Sequence, residues 1–424
     1  MAITLNNEPE AYHPVYQPMW FSVSSNNYTQ PNFKFICDVH VREGNGTNRG
    51  KIAQLKFLPV PGTDYGKINV AGVLKSYITH QAQSTTGVSG FFAASGHILQ
   101  YDVKFGEEYG PSSGITQYPN LTTSLNKYAW NGAPRFEKHL FISGTQYSTV
   151  FPQKFLTYLN NTTIQTAKPL ASNEEDFVNY LNGTNSINRI VITTYDSSGN
   201  YLDYGVVQSP FLPLNVGNRF VKYACGPANI NTITGWLIAP GNDPIITANV
   251  RYYSLDLASG SSIQDSPLYF EIVDKCTKDT AFDFQFLNGL GGYECFRFTG
   301  AYQVNDDIQK SEFKKVHGSW NTTSEIWGDA YSDRAKSYHS VVSRKKFKVY
   351  SDWITEDQSQ WLRDLMRSID VQVKWSNPLS PSEYYWIPVQ VLNSTYIEKR
   401  EASDRLFNIE MEFEFTSQDY SQQW

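Results

Sequence analysis

The feature that most limits what this chain can fold into is a period of two. "RIVITTYDSSGNYLDYGVV" (Arg189–Val207) reads as a hairpin with its turn at "DSSGN". "FKFICDVHV" (Phe33–Val41) alternates. "RLFNIEMEFEF" (Arg405–Phe415) does so strictly, with apolar residues on one face and glutamates on the other. Successive strand side chains point to opposite faces, so these segments call for sheets with one packed and one wet side. "KIAQLKFLPV", "HILQYDVKF", "ITANVRYYSLDL" and "LYFEIV" read as further strands. Aromatic residues make up 15% of the chain, with 28 Tyr and 25 Phe, and charged residues only 18%. That balance suits β-structure and protein contacts better than helical bundles.

Helices are few. "TEDQSQWLRDLMRS" is the clearest: Thr355 caps it, Gln358 answers the cap, and Trp361, Leu362, Leu365 and Met366 form one apolar face. "SNEEDFVNYL" predicts another, with Ser172 as cap, Glu175 three residues later, and Glu174, Glu175 and Asp176 as first-turn acids. In "INVAGVLKSYI", Val70, Val73, Leu74 and Tyr77 fall at helical spacing behind Asn69 as a cap. The expected fold is mainly β: tandem β-sandwich-like domains plus a C-terminal α+β domain. The boundaries read as an extended N-terminal arm (1–31), a β-rich domain (32–165), a second β-rich domain (166–308) and the α+β domain (309–424). In the arm, Pro9, Pro14, Pro18 and Pro31 interrupt regular structure, while Tyr12, Tyr16, Trp20 and Phe21 are candidate interface anchors. Such an arm gains order across a neighbouring subunit or along its own domain.

"FQFLNGLGGYECFRF" (Phe284–Phe298) invites a test for nucleotide chemistry. A P-loop needs Lys and Ser or Thr after its glycines, then a helix. Here "YECFRF" follows and alternates like a strand, so strand, glycine turn, strand is the reading. The glycines then supply positive φ or let another backbone approach closely. "GVSGF" (Gly87–Phe91) lacks the last glycine of a nucleophile elbow. The seven His residues never fall at i, i+4, and no C-x-x-C pair joins Cys37, Cys225, Cys276 and Cys295. No metal, cofactor or catalytic residue is therefore expected, and the cysteines read as buried thiols. A Cys276–Cys295 bridge would need an oxidising compartment. A net charge of −6 argues against a protein that coats nucleic acid. One basic cluster (Lys310, Lys314, Lys315, Arg334, Lys336, Arg344, Lys345, Lys346 and Lys348) is either a solvated strand face or a docking patch, centred on Arg344, Lys345, Lys346 and Lys348. The start has no basic and apolar signal-peptide pattern, and no stretch approaches a membrane span, so synthesis in a cytosol without membrane insertion is expected. On that basis the sequons at Asn27, Asn161 and Asn393 read as products of composition.

Three stretches together carry a resemblance: the Pro/Tyr arm leading into "NFKFICDVHV"; "YFEIVDKCTKDTAFDFQFLNGLGGYECFRF"; and the ending from "YSDWITEDQSQWLRDLMRSIDVQVKW" to "RLFNIEMEFEF". With its "FLN-x-x-GG" turn and "SDWIT…WL" element, the chain resembles virion structural proteins of tailed bacteriophages infecting Bacteroidetes, crAss-like phages included. The resemblance covers most of residues 30–415 in patches. It implies a neck or tail component, made in the host cytoplasm, that forms a homo-oligomeric ring with other virion proteins and makes at most transient contact with passing DNA. It brings no catalytic residues. A receptor- or glycan-binding role at the tail tip is an alternative, as is a tail-associated glycan hydrolase, which would need two converging carboxylates.

Overall fold

A computed structural model of the 424-residue chain describes residues 3–43, 47–82, 85–94, 96–135, 155–182, 187–210, 219–242, 244–263, 267–274, 280–314, 316, 318–328, 336–393, 406–416 and 419–420. The chain is mainly β with few helices. It divides into two compact units. The first comprises Met1–Cys276, Gln285–Phe296 and Arg367–Ile369. The second comprises Thr277–Phe284, Arg297–Met366 and Asp370–Trp424. The segments expected as an arm and two separate β-rich domains thus share the first unit as far as Cys276.

Among the described residues, four sheets build most of the first unit, in two layered pairs. A three-stranded sheet (Ile3–Asn7, Trp20–Ser25, Tyr65–Asn69) accompanies a five-stranded one ordered Tyr12–Pro14, Thr116–Trp130, Ile98–Tyr109, Lys34–Glu43, Thr47–Phe57. Phe21 and Val23 of the first meet Phe35, Cys37, Tyr101, Val103 and Phe105 of the second in one buried core. The alternation read in "FKFICDVHV" places Phe35, Cys37, Val39 and Val41 in it. The second pair joins the sheet Phe177–Leu181, Phe220–Ala224, Gly90–Ala93 to a seven-stranded sheet. The seven-stranded sheet contains the expected hairpin Arg189–Tyr195 and Tyr201–Gln208, together with Tyr252–Ser259 and Leu268–Ile272. Tyr180, Val221 and Tyr223 pack there with Ile190, Ile192, Tyr253, Leu255 and Phe270. The hairpin turn closes on Asp196, whose Oδ1 accepts the Ser198 and Asn200 amides, each at 2.8 Å.

The second unit orders its strands Val371–Asn377, Ser380–Val391, Glu410–Phe415, Lys336–Tyr350, Tyr302–Lys314. Its core is aromatic. Phe347 stacks on Phe413 with centroids 5.1 Å apart, and Trp375 lies edge-on to Phe347 and Phe415. Glu356–Arg367 is helical as expected, and its capping box forms: the Thr355 amide donates to Gln358 Oε1 (3.0 Å) and the Gln358 amide to Thr355 Oγ1 (3.3 Å). Trp361, Leu362 and Leu365 are buried; Met366 is only half-buried.

Residues 3–31 take one of the two courses open to the arm, along their own unit, and two helix expectations change. The segment supplies strands, with Ile3–Asn7 antiparallel to Trp20–Ser25 and Tyr12–Pro14 parallel to Tyr128–Trp130. The prolines lie at or between strand ends, where no ladder donor is lost. Phe177–Leu181 is a fully buried strand, not a helix, because it pairs with Phe220–Ala224 along its whole length. The acids before it form a turn instead, in which Glu174 accepts the Ala171 amide (3.0 Å). Around Val70 only one helical turn forms, Ala71–Leu74, continued by a 3-10 turn at Lys75–Tyr77. The cap position falls on Val70, and Asn69, one residue earlier, supports the turn by accepting the Ala71 amide at Oδ1 (3.0 Å).

Candidate interaction surfaces and the glycine turn

The glycine motif is a turn inside the first unit. Phe282–Leu287 and Tyr293–Phe298 are strands, and residues 288–292 reverse the chain between them. Gly291 has φ +87°, a conformation that costs other residues about 1–2 kcal/mol. A Cβ there would also fall inside the Asn131 carbonyl, and one on Gly292 would stand 2.6 Å from Asn179 Nδ2. Both uses of glycine expected from the sequence are present: positive φ and close backbone approach.

The turn's polar groups are taken up by protein. Asn288 holds it from within: its Oδ1 accepts the Leu290 and Gly292 amides (2.9 and 3.0 Å). Its Nδ2 donates to the Leu156 carbonyl (2.9 Å) and to Glu294 Oε2 (2.6 Å). Thr157 donates to the other Glu294 oxygen (2.6 Å). Trp130 Nε1 donates to the Leu290 carbonyl (3.1 Å), and the Ala133 amide to that of Gly289 (2.8 Å). His97 lies 3.2 Å through Nδ1 from the Gly291 carbonyl, while its Nε2 accepts the Gln81 amide at 2.8 Å. That pattern defines a neutral imidazole protonated on Nδ1. Burial pushes its pKa down to about 4, although the Gly291 carbonyl works the other way. Leu290 completes an apolar cluster with Tyr12, Trp130, Leu156, Leu181 and Phe220, drawn from both sheet pairs. The loop is thus a plug in a protein core, with its amides committed to Asn288.

Beside the plug lies a buried ion pair. Lys168 Nζ donates to Asp176 Oδ2 (2.7 Å) and to the Cys295 carbonyl (2.8 Å), and the Cys295 amide donates to Asp176 Oδ1 (2.9 Å). Burial alone would lower the Lys168 pKa; the Asp176 and Glu294 carboxylates outweigh it and hold the ammonium above its ordinary value. Asp176, expected at the start of a helix, is instead the counter-ion of a core lysine. Cys37, Cys225 and Cys295 are buried free thiols raised by desolvation, and Cys276 lies outside the described residues. Among the described residues no group of three or more His, Cys, Asp or Glu is placed to hold a metal ion. No helix among them is long and apolar enough to cross a membrane.

Of the four N-terminal aromatics, two face inward. Tyr12 is buried, stacked on Tyr128 (4.8 Å), and its hydroxyl accepts from Arg219 at 2.5 Å; burial pushes its pKa up to about 12. Phe21 is fully buried against Phe105. Tyr16 and Trp20 are exposed, with Lys75 over the Tyr16 ring and Lys67 over the Trp20 ring. Strand alternation separates Trp20 from Phe21.

The basic patch is divided and balanced. Along Lys336–Tyr350, Arg344, Lys346 and Lys348 share one face, while Lys345 alternates to the face of buried Phe347 and Val349. Lys346 and Lys348 lie opposite Glu414 and Glu412 of the acidic C-terminal strand, and Arg344 opposite Asp307. Lys346 pairs with Asp307 (3.3 Å) and Lys348 with Glu410 (2.7 Å), whose carboxylate raises the Lys348 pKa. Such exposed pairs add little stability, but they set acids beside the bases of this face. Lys315 and Arg334 lie outside the described residues.

One uncovered feature among the described residues was not expected from the sequence. Tyr302–Lys314 forms a hairpin with Lys336–Tyr350, and all 13 of its residues are exposed. Val304, Ile308 and Phe313 lie along it. Beyond it Ser319–Asn321 pairs with Ile326–Gly328, setting Trp320 opposite Trp327, 55% and 51% exposed. The available signal was a run of β-compatible residues with no apolar stretch nearby to cover it. A scan against protein-family models and a search of curated proteins return no match to this chain.

Proposed function

We propose that the chain is a structural component of a bacteriophage neck or tail, assembling as a ring-forming oligomer with other virion proteins. The observation that supports this reading most is the ribbon Tyr302–Lys314/Lys336–Tyr350, which ends in two exposed tryptophans. Two-stranded hairpins are marginal alone in water, and exposed Trp anchors are a feature of protein interfaces. Closed rings need one patch to meet a different patch on the next copy. The tryptophan tip supplies one patch, and exposed Tyr16 and Trp20 are candidates for the other. The sequence resemblance points the same way. Light scattering with negative-stain imaging tests the reading. Closed rings are expected, and Trp320→Ala with Trp327→Ala should prevent ring closure at an unchanged melting temperature. A double variant that assembles like the parent overturns the assignment of the tip.

The glycan-binding alternative draws on the same side chains, since tryptophan faces also stack on sugars. A compact trimer that binds a glycan array through Trp320 and Trp327 would replace the ring reading.

A further inference from the structure

Tyr302–Lys314 ends its sheet, and among the described residues no strand pairs with its outer side. At about 3.4 Å per residue, its 13 residues leave roughly 44 Å of free ladder edge. Open edges are ordinarily blunted by proline, by bulges, by charges or by being short; this one carries Asp306, Asp307, Lys310, Glu312 and Lys314, charges of both signs that can pair as well as repel. This strand contains no proline or glycine. The one register shift in the hairpin, between Ser311 and Glu312, puts the extra residue, His339, on the inner strand and leaves the edge regular.

We infer that this edge pairs antiparallel with the same edge of a second copy, about a two-fold axis at Ile308. Antiparallel partners must point to the same face, so residue numbers placed opposite each other sum to an even value. Ile308 is the midpoint of the strand, so centring on it pairs the strand along its whole length. In that register Asp306 of each copy faces Lys310 of the other, Ile308 faces Ile308, and Tyr302 faces Lys314. No like charges lie opposite. Slides of two or four residues are selected against: they set Asp307 on Asp307, Asp306 on Asp306, Asp306 on Glu312, or Lys310 on Lys310. The charges along the edge therefore repel other registers and accept one. The pairing is separate from the ring reading and holds or fails without it.

Sedimentation velocity on the full chain tests it through charge reversal. Asp306→Lys alone and Lys310→Asp alone each place like charges opposite twice, and should weaken self-association by about tenfold or more. Loaded at a concentration between the dissociation constants of parent and variant, each should therefore run toward half the mass of the parent. An equimolar mixture of the two variants restores opposite charges at both positions and should recover the parental mass. Circular dichroism melting of each variant checks that it is folded. Independently, Ile308→Cys should form a cross-chain disulfide on oxidation with copper phenanthroline, two thiols giving up two electrons and two protons to the added oxidant. An Asp306→Lys mass equal to the parent's, a mixture that does not recover, or no Ile308→Cys cross-link would overturn the inference.

Discussion

Asn288 offers the most direct test of the plug. Its side chain is buried and makes four hydrogen bonds: two accepted from backbone amides, one donated to a carbonyl and one to the Glu294 carboxylate. Neutral bonds are worth about 1 kcal/mol each and a bond to a charged group about 1.5–3 kcal/mol, so Asn288→Ala should cost about 4–6 kcal/mol. A domain's whole stability is about 5–15 kcal/mol, so much of the first unit's margin would go. Asn288→Asp sharpens the test. It keeps the shape and the accepting oxygen, but turns the other atom from a donor into an acceptor facing the Leu156 carbonyl and, at 2.6 Å in the parent, Glu294. At pH 7 it should lose at least as much as the alanine variant. As pH falls toward 5 it should regain stability relative to that variant, because a proton shared by the two carboxyls restores a donor. Urea unfolding gives the energies. Hydrogen exchange at the Leu290 and Gly292 amides gives the local readout, with protection lost in Asn288→Ala. If Asn288→Asp matched the parent at pH 7, the amide would face the other way and the donor role would be refuted.

Other outcomes follow from the same interior. Lys168→Met leaves the Asp176 carboxylate buried without its cation and should cost about 3–5 kcal/mol in urea unfolding; a loss under 1 kcal/mol would mean that water reaches the site. His97 has a folded pKa near 4, against an ordinary 6.5. Above pH 6.5 neither state carries the proton. Between 6.5 and 4 the unfolded chain takes it up first, so stability falls with pH by about 3 kcal/mol across that window. His97→Gln should flatten that part of the pH profile, and an unchanged slope would exclude His97 as its source. Trp361→Ala empties a buried site in the helix and should cost about 3–5 kcal/mol; an unchanged melting temperature would refute that packing.

Where one local pattern decides structure, the sequence was readable. Strict alternation in "EMEFEF" survives as a strand because one face is buried, and the turn at "DSSGN" joins the expected hairpin. The Thr355–Gln358 box caps its helix because both partners lie within four residues. The glycine turn was legible for the same reason, and its failure as a phosphate loop could be read from the residues after it. Where distant partners decide, the reading failed. "SNEEDFVNYL" has a valid capping pattern, but Phe220–Ala224 some forty residues later offers a ladder to a segment with five burial-compatible residues. Tyr12 and Phe21 resembled anchors for another subunit because nothing local shows that Phe105, Tyr128 and Arg219 await them. That acids from other strands lie opposite the basic patch could not be read locally either. The ribbon was invisible as a surface: alternation shows that a strand has two faces, not that both are wet.

The plug also sets a timetable. His97 receives its partner Gly291 from 194 positions further along the chain, and Trp130 receives the Leu290 carbonyl from 160 positions away. Synthesis runs in one direction, so Trp130, Leu181 and Phe220 have been made long before Leu290 exists to fill the space among them. About two thirds of the chain must leave the ribosome before the plug can seat. A premature stop between residues 277 and 292 would therefore release not a smaller folded fragment but a sticky, open intermediate.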